Sequence, residues 1–445
     1  MFLLAQDEEI EQLINRFTSQ PAHGVAVQQL ELLLREALRK PANELIGVLL
    51  QNAASQIDQN YQPKPGECWK GTFPIEVHGV FGSFQVWRDY YYDASSKRGR
   101  HPADAALGLE GACTPALTKL VCYEGAEAES FLNAQEHLQN TGAIQIDPRQ
   151  VQRIVQHMGA SLHAWPRREA KPEPCNAPIL YVSADATGVP MRKAILAGRK
   201  GKQPDGSAKT QSANMACVFT QHTRDEEGRP IRDYESTTYV GGMDNVEELG
   251  LLLRKEALRR GSATAKEIVV LIDGAACLET LGKINFPGCT QIVDFYHAME
   301  HLDALIDLLL GKEHPDHKKQ YSRWTKRLLK DGVNDIVAQA RQMSEGKASA
   351  QAVEKALGYF IRNTARMQYG SFRKKGYFIG SGVIEAGCKT LVGKRCKQSG
   401  MFWSQKGVAN IISLRCILRS RQWDAFWKTR ANQLAALNDS LPLAA

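Results

Sequence analysis

At 445 residues and 43% apolar composition, the chain is long enough for two or three domains with real cores, and its 23% charged residues are ordinary for a globular protein. No run approaches the roughly 18–20 apolar residues of a bilayer-spanning helix. Met1-Phe2-Leu3-Leu4-Ala5 is followed at once by Asp7-Glu8-Glu9 with no basic flank, which argues against a signal peptide. The ten cysteines have no paired spacing, which fits unpaired thiols in a reducing cytosol better than a disulfide framework. The net charge of +8 conceals an asymmetry: Gly311 to Arg430 holds 25 Lys and Arg against 8 Asp and Glu, so the remainder is acidic. That basic stretch is interleaved with Trp324, Tyr359, Phe360, Tyr369, Phe372, Tyr377, Phe402, Trp403, Trp423 and Trp427. Such a pattern suits a phosphate-backbone partner, or equally a solvated helical surface whose aromatics form its core.

In chain order, Glu8 to about Gln59 reads as two helices broken near Pro21-Ala22-His23-Gly24. Leu30, Leu32, Leu33, Leu34 and Leu38 lie on one side of the second, and Asn43 to Ile57 continues it beyond Pro41. Tyr61 to Gly66 is a breaker-rich linker. Thr72 to Val77, a turn at His78-Gly79, and Phe84 to Tyr92 predict a β-hairpin. From Pro115 to Leu162 the pattern is helical in three pieces, the last two at Ser130–Gln139 and Pro148–Met158. Asp147 at the N-cap and Pro148 at the first helical position open the third piece. The last two helices form either a helix-turn-helix or a plain helical hairpin, because their connection exceeds the usual turn. Arg167 to Pro174 is a linker. Beyond it strands are predicted at 178–184, 215–221, 235–240, 267–272 and 290–294, a helix at about 244–260, and almost unbroken helix over 298–372. Three strands, a helix, then a strand ending in a carboxylate is the order of a ribonuclease H-like α/β core. Here an all-α insertion interrupts it, and a mostly helical N-terminal region with a β-hairpin precedes it.

Five residues at four places carry the chemistry. Asp185 ends the apolar run Ile179–Ala184, Asp273 ends Ile268–Ile272, Asp294 and His297 close Gln291–His297, and Glu385 follows Gly380-Ser381-Gly382-Val383-Ile384. Acids at the ends of neighbouring strands converge, and oxygen-rich clusters are what Mg²⁺ or Mn²⁺ requires. Crowded carboxylates repel unless a cation neutralises them. Taken singly, Asp185 or Asp273 could instead form a structural Asx-turn, and Glu385 could be an ordinary solvated helical acid. Asp294 is placed to cap or buttress the helix that His297 opens. With His301 one turn on, Asp294 and His297 could alternatively bind zinc, although no cysteine pair or fourth ligand accompanies them.

With these residues in place, the chain resembles the DDE transposases of bacterial insertion sequences, most closely the ISKra type, relatives of the Mutator-like group. The matching features are Asp185, Asp273, the Asp294-Phe295-Tyr296-His297 signature and Glu385 beyond a helical insertion. Further ones are Tyr359-Phe360-Ile361-Arg362-Asn363, Met367-Gln368-Tyr369, Gly376 to Glu385, and Lys389 through Gly393 to Trp403. The resemblance is strong over roughly 175–430 and weaker upstream, through Pro102 to Leu109. Relatives usually carry two Cys pairs around the N-terminal hairpin. Here Cys68 stands alone before Trp69 and Tyr92-Asp93-Ala94-Ser95-Ser96 occupies the second place, so no structural zinc is expected and packing of Trp87, Tyr90 and Tyr92 must hold the hairpin.

The resemblance implies a two-metal mechanism with Mg²⁺ or Mn²⁺: Asp185 bridging both ions, Asp273 on one and Glu385 on the other. Water attack would free a 3′-hydroxyl at the element end, which then attacks target DNA. Asp294 and His297 would support the site from behind or touch DNA. Arg373, Lys374, Lys375, Lys389, Lys394, Arg395 and Lys397 would neutralise the DNA backbone, and Trp403 would either stack on an unpaired base or pack in the core. The implied layout is N-terminal helices over 1–60, a zinc-ribbon-like hairpin and helix-turn-helix-like DNA-binding region over 61–165, the first part of the core over 175–298, the insertion over 299–372, and the last part over 373–430. The partner is double-stranded DNA at transposon ends and target, with at least a homodimer on it, in a cytoplasmic, nucleoid-associated setting. A ribonuclease H-like nuclease or resolvase without strand transfer, and a domesticated DNA-binding regulator, are the alternatives.

Overall fold

The computed structural model describes residues 24–163, 174–196 and 210–439, together with Trp165 and a few positions between 11 and 19. Most of the first predicted helix, and the Arg167–Pro174 linker except for Pro174, lie outside the described residues. The chain divides into two units: Met1–Val155 with Trp423–Ala445, and Gln156–Gln422.

In the first unit, helix α1 (Gly24–Asn60) runs unbroken through Pro41. A mid-helix proline removes one hydrogen bond and costs about 3 kcal/mol, so tertiary packing must hold the helix. Gly47 admits Phe84 to 3.1 Å from where a Cβ would stand. Asn43 Nδ2 donates to Ser83 O at 2.9 Å. The Gln51 amide pairs with both Trp87 N and Trp87 O, at 2.8 and 3.0 Å, as a neighbouring strand would. The buried side of α1 is therefore Ala37, Gly47 and Ala54, while Leu32, Leu33 and Leu38 are exposed, in contrast to the leucine-lined face the sequence pattern expects. Strands β1 (Glu67–His78), β2 (Ser83–Asp93) and β3 (Arg98–Arg100) form an antiparallel meander. Its core is Val77 and Val86 against Ala54, Ala103 and Leu109. Trp87, of opposite parity to Val86, faces out and cannot hold the hairpin as expected; Tyr91 is buried instead. Cys68 pairs in register with Tyr92 and is exposed. Helices α2 (Pro102–Leu107), α3 (Pro115–Glu127), α4 (Phe131–Gly142) and α5 (Pro148–His163) follow, the division between the units falling within α5 after Val155. Thr114 and Ser130 cap α3 and α4, and Asp147 Oδ1 accepts from Arg149 N at 2.7 Å at the start of α5.

The second unit is built on a mixed sheet. β4 (Ile179–Pro190) and β5 (Thr210–Arg224) form a long antiparallel pair. β6 (Pro230–Arg232) and β7 (Thr238–Gly242) both pair with β5, while β8 (Glu267–Ile272) runs parallel to β4 and β9 (Thr290–Val293) parallel to β8. The order is β6-β5-β4-β8-β9, with β7 along β5. Buried parallel strands read as continuous apolar runs, which is why Ile268–Ile272 and Ile179–Val182 were legible. One face packs on α6 (Val246–Arg259) and α7 (Ala276–Asn285) through Leu249, Leu253, Leu278 and Leu281. On Tyr181 a stack of Phe219 (ring centroids 4.9 Å) meets Phe378 edge-on. Helices α8 (Phe295–Leu310), α9 (His317–Leu328), α10 (Val333–Ser344), α11 (Ala350–Asn363) and α12 (Tyr369–Lys374) follow β9, with Trp324, Phe360 and Tyr369 wholly buried. Next come α13 (Gly382–Gly387), a wide π turn at Cys388–Gly393 and α14 (Gln405–Arg419). The final helix, α15 (Trp423–Asp439), belongs to the first unit, where Trp423 meets Tyr123 and Arg430 pairs with Glu110. No helix among the described residues is long and apolar enough to cross a membrane.

Candidate active site

The parallel register aligns Ala184 with Ile272 and Ile272 with Val293. Asp185, Asp273 and Asp294 are the next residues on three strands about 4.8 Å apart. Asp185 does not end its strand; β4 continues to Pro190 and Asp185 lies opposite Met215 on β5. Its Oδ1 accepts from Ala186 N at 2.7 Å. Burial raises its carboxyl above the usual range and the charge of Asp273 adds to this, against the Ala186 amide, a Cys388 hydrogen bond and His297. Asp273 Oδ1 accepts from Ala275 N at 2.7 Å, so it does make an Asx-turn while standing beside Asp185.

Glu385 is carried by α13, which lies against β4 and β5. Ser381 Oγ donates to its Oε1 at 3.0 Å. Gly387 brings α13 down onto the sheet, since a Cβ there would stand 2.7 Å from Tyr239 Cε1. One turn on, the Cys388 thiol donates to Asp185; burial first, then the Asp185 charge, pushes that thiol up to about 12, so it stays a donor. The π turn that follows belongs to a class often found at functional sites. Cys388 thus joins the Glu385 helix to Asp185. No sequence signal pointed to it, because π turns have no simple residue pattern.

Asp294 is 0% exposed. Its Oδ1 accepts from His297 N at 2.7 Å, its Oδ2 accepts from Ser381 N, and Phe295 N donates to Ile379 O at 2.9 Å. It therefore fastens the start of α8 to the segment that introduces Glu385. Both of its oxygens accept backbone amides, so its first role is to position this segment. Asp294, His297 and His301 are not gathered as a three-ligand metal site among the described residues. His297 is half-buried, lies 3.4 Å from Glu300, and its charge acts on Asp185. His301 is stacked on Tyr359, and burial, then His297, lowers its pKa.

Asp185, Asp273 and Glu385 are hard oxygen donors, the kind Mg²⁺ or Mn²⁺ takes. A cation would relieve the charge that Asp273 imposes on Asp185. Among the described residues, however, no three His, Cys, Asp or Glu side chains gather around one point as metal ligands would. The donors fit the ion in kind and stand as a pair with a neighbour.

Of the eight residues expected at DNA, Arg373, Lys374, Lys375, Lys389, Lys394 and Lys397 are exposed. Lys397 Nζ donates to Thr187 Oγ1 at 2.5 Å, two residues beyond Asp185. Arg395 and Trp403 are different: they are 1% and 8% exposed and lie in the interior of this structure. Trp403 N donates to Pro190 O at 3.1 Å, Arg192 N to Trp403 O at 2.9 Å, and its indole Nε1 to Cys396 O at 3.0 Å. Arg395 lies 5.3 Å from the Trp403 ring centre, and burial lowers its guanidinium pKa to about 10. The pair clamps the end of β4 to the segment beyond Glu385. The other aromatics of the basic stretch are mostly core, Phe402 being an exposed exception. In the first unit, a cavity of about 400 Å³ is lined by Arg39, Lys40, His78 and Glu36, with Glu36 paired to Arg39.

The model of an uncharacterised protein family, UPF0236, matches residues 21–212. No curated protein matches the chain. Among solved structures, the Drosophila P element transposase strand transfer complex aligns over 74% of this chain and 81% of that one, at 10% identity. The TM-score is 0.25, too low to assign a fold.

Proposed function

We propose that the chain is a DDE transposase of the ISKra type with a ribonuclease H-like core, cleaving phosphodiesters at insertion-sequence ends and joining the 3′-hydroxyl to target DNA. The observation that carries this reading is the placement of Asp185 and Asp273 side by side on parallel strands, with Glu385 brought to Asp185 through Cys388. The sheet order, antiparallel from β6 to β4 and parallel from β4 to β9, supports it. Asp185, Asp273 and Glu385 would hold two Mg²⁺ or Mn²⁺ ions, which supply Lewis-acid activation of water and charge neutralisation. In the first reaction a water oxygen bonds to phosphorus, the P–O3′ bond breaks, and the products are a 3′-hydroxyl and a 5′-phosphate. In the second, that hydroxyl displaces a target 3′-oxygen, conserving the number of phosphodiester bonds. Exposed Arg373, Lys374, Lys375, Lys389, Lys394 and Lys397 neutralise the DNA backbone, and Asp294 positions Glu385 through Ser381. Holding two DNA ends requires at least a dimer, working on nucleoid DNA in the cytoplasm.

One observation favours the rival reading of a DNA-binding regulator over either enzyme, transposase or nuclease: no closed three-ligand site exists among the described residues. A strand-transfer assay with a labelled element end, a supercoiled target and Mg²⁺ or Mn²⁺ decides between them. The expected result is joined product from the wild type and none from Asp185→Ala or Glu385→Ala. Cleavage without joining makes the protein a nuclease, and metal-independent binding with neither reaction makes it a regulator.

A further inference from the structure

The Tyr359-Phe360-Ile361-Arg362-Asn363 tract forms the last turns of α11 and carries two side chains to the end of β8. Arg362 Nη2 donates to Gly274 O at 3.1 Å. The Tyr359 ring lies so close to Gly274 that a Cβ there would fall 2.3 Å from Cε2 and 2.7 Å from the hydroxyl. His301 stacks on that ring with centroids 3.7 Å apart, and Phe360 meets it edge-on at 5.4 Å. The ring is thus held on several sides, immediately beside Asp273.

Its hydroxyl is buried and makes no hydrogen bond with any described residue. Such an orphan forfeits about 1–3 kcal/mol, and native proteins seldom keep one without cause. The nearby carboxylates already have partners. Asp273 Oδ1 takes the Ala275 amide, and Asp294 takes the amides of His297 and Ser381. Phenylalanine would fill the same space without the orphan. Arg366, whose Nη2 bonds Glu279 at 2.8 Å, also has its Nη1 buried without a partner among the described residues. Its charge, like those of Arg362, Asp273 and Asp294, acts on Tyr359. Unmatched donors among arginines beside a carboxylate pair call for an incoming oxygen acceptor that carries negative charge.

We propose that Tyr359 donates a hydrogen bond to a non-bridging phosphate oxygen of the DNA strand held at Asp185 and Asp273, with Arg362 supplying positive charge at the rim. This inference rests on the phosphodiester reading above. Charge on the non-bridging oxygens changes as phosphoryl transfer proceeds, and a preorganised donor stabilises it. A neutral donor does so without competing with a cation for Asp273.

The test uses the full-length protein, Tyr359→Phe, and DNA ends whose scissile phosphate is either normal or a single Rp or Sp phosphorothioate, all in Mg²⁺. Sulfur accepts hydrogen bonds poorly, so one diastereomer should slow the wild type through Tyr359. Tyr359→Phe is expected to melt at or above the wild-type temperature, bind DNA equally, and cleave the normal end roughly 100-fold more slowly. It should also lose the wild-type sensitivity to that diastereomer, which a merely structural role would leave unchanged. Cleavage by Tyr359→Phe at the wild-type rate, or an unaltered sulfur effect, overturns the inference while leaving the phosphodiester reading intact. A wild type that cleaves none of the three ends overturns both.

Discussion

Asp185 and Asp294 occupy matching places on their strands yet do opposite things, and the difference lies in what their oxygens meet. Asp294 accepts two buried backbone amides. Asp294→Ala leaves both without acceptors and is expected to cost about 2–4 kcal/mol, read as a lowered denaturation midpoint. Asp185 is half-buried, and burial with the neighbouring Asp273 charge holds its carboxyl above the usual range. A raised carboxyl pKa means the folded state binds its proton more tightly than the unfolded chain. Stability is therefore lost as pH rises through the ordinary carboxylate range. Asp185→Asn is expected to raise the melting temperature at neutral pH in EDTA, to lose that gain in acid, and to abolish end cleavage. An unchanged melt at neutral pH would show that Asp185 is not crowded. Both acids were legible as carboxylates after apolar runs, although β4 continues past Asp185, and their division of labour was not legible, because a sequence does not say which amide a carboxylate will find.

At the scale of elements, Arg373 and Lys374 end α12 and Lys375 follows, all exposed, while Phe372 and Tyr377 around them are buried. Cations outside and aromatics inside make an ordinary amphipathic segment, so any DNA binding here rests on charge. Replacing the three cations with alanine should reduce the slope of log affinity against log salt by roughly 2–3, at about 0.9 for each phosphate no longer neutralised. An unchanged slope would place the DNA elsewhere. The strands were readable from apolar runs and the start of α5 from the Asp147 cap, since both signals are local. Helix α7 was missed, although a helix between parallel β8 and β9 is what a crossover connection demands. Trp403 read equally well as a base-stacking residue and as core. Its bonds to Pro190 and Cys396 decided for core.

For the whole molecule, the first unit is discontinuous, closed by α15 from the far end of the chain. Lys119 pairs with Asp424 at 2.7 Å, Arg430 with Glu110, and Trp423 and Trp427 pack there. Ending the chain after Gln422 should lower the unfolding temperature of the first unit and expose it to proteolysis, with the second unit's transition unchanged. A single unaltered transition would count against this closure. The sequence by itself determined where the apolar runs of the strands and the capped helices lie and that an acid follows three of those runs, because periodicity, caps and breakers act over a few residues. Only the tertiary structure decided that Asp185 and Asp273 stand side by side, that Cys388 brings the Glu385 helix to them, that Asp294 is a clamp, and that the last helix returns to the first unit. Those outcomes depend on pairings between residues tens to hundreds of positions apart, where packing and desolvation choose among partners that local sequence leaves equivalent.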